Sequence, residues 1–265
     1  MARAAVIVRV KVEGAAAEVR CNDIPMAHIE EGAPGVTFPM NHVMVDGLNS
    51  VEVILRPGES PSRVRDGDVA QPAEGVTVLV DASTYGPDNI PGDDPGTGLM
   101  RLRWDGAGEE RFPYSVSGDF EVASPFAPWA WERAPVLTLD GPTITEAADV
   151  IRAIHQAFAR KDFNAVTRWK ERATREAAVA YGEDWADNEA SAARALNETW
   201  NEPGWAMEPL VAENFDLRLV ANGRLIEAIA KDWGPLLRGT EDAEGSRLSF
   251  PIYLGREGGV LTVLR

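Results

Sequence analysis

The stretch LRLVANGRLIEAI, residues 217–229, decides how the C-terminal part of this chain is read. Two apolar runs flank Asn222-Gly223, and this dipeptide between β-rich runs signals a tight hairpin because both residues tolerate the positive φ of a type I′ turn. A second stretch, FPIYLGREGGVLTV at 250–263, folds back through Gly255, Gly258 and Gly259. The C-terminus is therefore expected to be antiparallel sheet. Its apolar members are Leu217, Leu219, Leu225, Ile229, Phe250, Ile252, Leu254, Val260 and Val263.

Upstream, the period changes from two to that of a helix. Thr143 and Glu146 form a capping-box pair ahead of an inner face reading Ile144, Ala147, Ile151, Ile154 and Phe158. Asp162 is the expected N-cap of a second helix, with Val166, Trp169, Ala173, Ala177 and Ala180 on one side and Gly182 at C′. A third runs from about Asn188 to Trp200 and stops before Pro203-Gly204. These faces need a sheet to cover, which gives an α+β domain over 138–265 with about three helices on an antiparallel sheet.

Residues 1–124 alternate instead. Val6, Val8, Val10 and Val12 share one face, with Arg9, Lys11 and Glu13 opposite. The pattern returns at Val51, Val53 and Leu55, at Val76, Val78 and Val80, and at Met100, Leu102 and Trp104. Such short runs between turn residues predict an all-β antiparallel sandwich. Between the two domains, 125–137 carries Pro125, Pro128 and Pro135 with Phe126, Trp129 and Trp131. This Pro/Trp-rich segment is too aromatic for a free linker and is expected to pack between them.

Residues 17–57 resemble the galactose-binding-like jelly rolls that accompany many glycoside hydrolases. The resemblance rests on a strand, an Asn turn at Asn22-Asp23, the run Gly35 to Pro39, and Gly47-Leu48-Asn49 leading into Val51, Val53 and Leu55. Asp23 stands where that turn usually has glycine, and no sugar-contacting residue is identified. The order of helices followed by hairpins in 138–265 is similar to the cone-like NTF2 superfamily, whose sheet curls around a pocket. That is an analogy of fold, without a motif.

Composition sets the bounds. A chain of 265 residues with 45% hydrophobic and 26% charged side chains has the make-up of a soluble protein with room for two domains. Arg9 and Lys11 interrupt the apolar N-terminus before it reaches the length of a secretion signal, so a cytoplasmic location is expected. The formal net charge is −16, with 20 acidic against 10 basic side chains in residues 1–125. Such a field repels nucleic acid and anionic membrane and favours solubility or a basic protein partner.

No catalytic signature stands out. Cys21 is the lone cysteine, which excludes an internal disulfide and multi-cysteine metal sites, and reads as a half-buried strand residue. Of the three histidines, His155 lies beside the first helical stripe, where it reads as structural, while His28 and His42 flank a turn region and belong to no metal or triad pattern. Asp88, Asp93 and Asp94 sit in a Gly/Pro-rich loop whose spacing matches no EF-hand. No phosphate-binding loop or dinucleotide fingerprint is present, and neither cofactor nor metal is expected.

The leading expectation is a binding or protein-interaction protein, with Trp129, Trp131 and Trp205 as candidate ligand contacts because tryptophan anchors ligands and interfaces. An acidic immunity-type inhibitor of a basic bacterial toxin is one alternative. The other is a small-molecule or glycan-processing enzyme with an interdomain or α+β pocket, using His155 and nearby carboxylates for proton transfer.

Overall fold

The computed structural model describes residues 4–61, 69–86, 95–124, 126–241 and 245–265. Its contacts divide the chain into two compact units, Met1–Trp129 with Ala180–Gly182, and Ala130–Val179 with Glu183–Arg265. The acidic loop carrying Asp88, Asp93 and Asp94 lies outside the described residues.

The first unit is built from β1 (Ala5–Glu13), β2 (Ala17–Cys21), β3 (Ile24–Ile29), β4 (Val36–Pro39), β5 (Gly47–Leu55), β6 (Val69–Pro72), β7 (Thr77–Tyr85), β8 (Thr97–Asp105), β9 (Glu109–Phe112) and β10 (Tyr114–Val122). Eight of these form two four-stranded sheets, ordered β4-β1-β7-β8 and β10-β5-β2-β3, and β6 pairs with β9. All the pairings are antiparallel. Val6, Val8, Val10 and Val12 are all buried, as the alternation requires. Cys21 is fully buried rather than half-buried, and burial pushes its thiol up to about 12, which leaves it inert as a nucleophile near neutral pH. The sheets face each other where β10 meets β8: a Cβ added at Gly118 would stand 2.5 Å from Met100 Sδ.

The turn after β2 is held by two asparagines. Asn22 and Asp23 both take positive φ, 51° and 59°, a conformation that short polar side chains tolerate. Asn22 Nδ2 donates to Val43 O and to Asn49 Oδ1, each at 2.9 Å, while its Oδ1 accepts from the Ser50 N–H. Asn49 has no exposed surface, and its amide is saturated: Oδ1 also accepts from the Val45 N–H, and Nδ2 donates to Val45 O and Gly47 O.

The second unit contains α1 (Ala130–Arg133), α2 (Gly141–Ala159), α3 (Phe163–Tyr181) as far as Val179, and α4 (Trp185–Asn201). The strands β11 (Phe215–Val220), β12 (Leu225–Ala230), β13 (Leu237–Arg238), β14 (Ser249–Phe250), β15 (Ile252–Glu257) and β16 (Val260–Val263) follow. The main sheet is ordered β11-β12-β15-β16. Ile151, Ile154 and Phe158 of α2 share one buried core with Ile226, Ala228, Ile252 and Leu254 of the sheet, joined by Val166 of α3 and by Leu196 and Trp200 of α4.

Several local expectations change. The cap of α2 is Asp140, whose carboxylate accepts from the Thr143 N–H, with Pro142 in the first turn; Glu146 is drawn elsewhere. Ile144 is 43% exposed, and Ala157 belongs to the inner face. Asp162 does accept from the Ala165 N–H at the start of α3, and Gly182 follows its end with φ 69°. The third helix begins at Trp185 because Asp184 accepts from the N–H groups of Ala186 and Asp187.

The Asn222-Gly223 connection is longer than a two-residue turn. Val220 pairs with Leu225, and Ala221, Asn222 and Gly223 all have positive φ. The two-residue turn falls at Gly258-Gly259, between the paired Glu257 and Val260, and Gly255 lies inside β15 instead of in a turn. β12 is buried along its whole length. Ile226 and Ala228 face the helical core, whereas Glu227, on the opposite face, accepts from Arg218 Nε at 2.5 Å and from the Tyr253 hydroxyl at 3.0 Å. Leu225 and Ile229, expected under the helices, share that opposite face by the alternation of the strand.

Candidate functional site

A cleft of about 330 Å³ opens in the second unit where α1 and the residues after it meet the β15–β16 turn. Ala130, Ala134 and Pro135 line one side, Gly258 and Gly259 the other, and Arg133, Arg256 and Glu257 bring charge to it. Its size suits a small ligand, and small side chains keep the walls open.

Local structure fixes each charged group. The Gly258-Gly259 turn takes φ of 59° and 86°, which glycine adopts without strain, and so holds Arg256 and Glu257 at the hairpin tip. Arg256 Nη2 donates to Glu146 Oε2 at 2.6 Å, and Nη1 donates to Gly259 O at the same distance. Glu146 also accepts from the Leu261 N–H at 3.0 Å, which explains why it does not close a capping box. The Arg256 hydrogen bond, then that of Leu261, holds the Glu146 carboxyl below its ordinary range. Glu257 is paired to Arg172 Nη2 at 2.6 Å.

Behind the α1 wall sits Glu176. Its Oε1 accepts from the Ala130 N–H at 2.8 Å, while Oε2 is buried with no hydrogen-bond partner among the described residues. Burial pushes this carboxyl above its ordinary range, against the opposing pull of the Ala130 N–H, Arg172 and Arg133. Because the folded form disfavours the charge, the stability Glu176 contributes is present below the ordinary carboxylate range and lost as pH rises through the raised value. Glu176→Gln keeps the acceptor for Ala130 without the charge. Denaturant midpoints should therefore move in favour of the variant as pH rises above the ordinary carboxylate range; a constant difference would show that Glu176 ionises as freely in the folded chain as in the unfolded one.

The three expected tryptophan contacts do not line this cleft. Trp129 belongs to the first unit, is 3% exposed, and spends its Nε1–H on Met44 O at 2.8 Å. Trp131 is 4% exposed, within the helical turn whose neighbours Ala130 and Arg133 form the wall. Trp205 is half-buried, 6.2 Å from Trp200, with Lys161 Nζ 5.3 Å from its ring centre. His155 Nε2 is hydrogen-bonded to Glu208 O at 2.8 Å, and His42 Nδ1 to the Tyr181 hydroxyl. His28 lies on β3, paired with Glu18 of β2.

Sequence reasoning missed Arg133 and Arg256. The turn that aims Arg256 was legible in its two glycines, but nothing in the spacing joins it to the Pro/Trp-rich segment. A comparison with known protein families, curated proteins and solved structures finds no match for this chain.

Proposed function

We propose that this chain is a binding protein whose C-terminal unit takes a small ligand bearing an anionic group in the α1–hairpin cleft. The observation that carries this reading is the arrangement of Arg133 and Arg256 around walls of alanine, proline and glycine. A guanidinium presents a planar fork of donors that matches a carboxylate or phosphate. Glu146 and Gly259 O already take the Nη groups of Arg256, so Arg256 lends the cleft a guanidinium with little freedom left to lose, and the fork that would grip the ligand falls to Arg133. The net charge of −16 slows the encounter with an anion, but its reach is limited to about 8 Å at physiological salt, so the local groups decide.

The test is a thermal-shift and calorimetric screen of small carboxylates and phosphate esters against the parent and Arg133→Ala. At a hundredfold excess over Kd a bound ligand adds about 2.7 kcal/mol of stability, a readily visible rise in Tm. Arg133→Ala should weaken the best ligand about tenfold, or about 1.4 kcal/mol. Equal affinity in the two proteins, or no ligand in the screen, would remove the reading.

The strand order of the first unit supports its proposed kinship with jelly-roll sandwiches. The eight strands of its two four-stranded sheets follow jelly-roll order up to a cyclic shift of the numbering. A second functional reading, an acidic inhibitor of a basic protein, draws on the formal charge of −16. It expects a basic partner whose affinity falls with added salt.

A further inference from the structure

Lys170 stands apart from the other lysines. It lies on α3 in a groove shared with α4, walled by Phe163, Val166, Trp185 and Leu196, with Glu189 as the other ionisable lining residue. Its Nζ is 4.4 Å from the centre of the Phe250 ring. Among the described residues it makes no ion pair, whereas Lys11 is paired to Glu13 at 2.6 Å and Lys161 donates to Trp200 O. Lys231 is exposed.

We infer that the groove between α3 and α4 is a covalent capture site for short-chain aldehydes, with Lys170 Nζ as the nucleophile. The amine must be neutral to attack, and burial lowers the Lys170 ammonium below its ordinary range. Nζ adds to the carbonyl carbon while the carbonyl oxygen takes a proton, giving a carbinolamine. Loss of that oxygen as water leaves an imine, so one aldehyde and one amine become one imine and one water. The protonated imine keeps its positive charge beside Phe250, and Glu189 lines the same groove. The groove's open volume is about 30 Å³, room for about two water-sized groups, which admits a short alkyl chain and is too little for an aromatic aldehyde.

Only four lysines, at positions 11, 161, 170 and 231, compete, so the test is internally controlled. The folded protein is treated with propanal and cyanoborohydride at neutral pH, and propylated lysines are mapped by peptide mass spectrometry. Lys170 should be labelled about tenfold faster than any other lysine, and the preference should disappear in urea. Leu196→Phe, which enlarges one wall of the groove, should abolish the preference while leaving the labelling of Lys231 and the cooperative thermal unfolding of the protein in place. Benzaldehyde should show no preference for Lys170. Equal labelling of the four lysines in the folded protein, or undiminished Lys170 labelling in Leu196→Phe, would overturn the inference.

Discussion

Asn49→Asp should cost about 3–5 kcal/mol of stability, a large loss for a change of one atom. The amide nitrogen of Asn49 donates to Val45 O and Gly47 O, at 2.9 and 3.0 Å, with no exposed surface to admit water. An aspartate would aim an oxygen at both carbonyls and bury its charge beside them. The new carboxyl would titrate above its ordinary range in the folded chain, so the penalty should be smallest in acid and grow as pH rises through that raised value. Urea midpoints measured across the acidic range report it directly. A loss below about 0.5 kcal/mol at neutral pH would mean that the Asn22–Asn49 pair does not hold the turn.

Glu227→Ala should cost a similar amount, about 3–5 kcal/mol, for a different reason. Glu227 is 5% exposed, and removing it takes a carboxylate partner from the Arg218 guanidinium, whose side chain is 12% exposed. It also takes the acceptor from the Tyr253 hydroxyl. The pair itself carries much less, because desolvating two charges offsets most of their attraction. The double variant Arg218→Met with Glu227→Leu should therefore recover most of the loss. If the double variant is as unstable as Glu227→Ala, the penalty comes from something other than the broken Arg218–Glu227 pair.

How far the sequence could be read depended on whether a signal was local. The first strand was legible from Val6 to Val12, because one buried face imposes period two whatever lies opposite. The α2 stripe was legible from Ala147 to Phe158 for the same reason at period 3.6. Its start was misplaced because Thr143 and Glu146 satisfy the capping-box pattern, while the real competitor for Glu146, Arg256, arrives from a strand far along the chain. The face of β12 could not be assigned either. A strand buried on both sides gives no alternation to count, and Glu227 is accommodated there with Arg218 and Tyr253 hydrogen-bonded to it. The cleft was the least legible part. Its arginines lie on opposite walls supplied by segments distant in sequence, and the nearby tryptophan that drew attention, Trp131, turns inward.

The pairing of β1 with β7 carries a kinetic consequence. Glu13 and Thr77, joined across that ladder, are separated by 64 residues, while β15 and β16 meet across a two-residue turn. Closing the long loop forfeits more chain entropy before any contact rewards it, so non-local sheets assemble slowly. On the ribosome the earliest valine-rich segment emerges well before its central mate is made. Nascent chains arrested ahead of Thr77 should accordingly be the ones that chaperones hold and that self-associate, whereas the rearmost ribbons collapse almost as soon as they are translated.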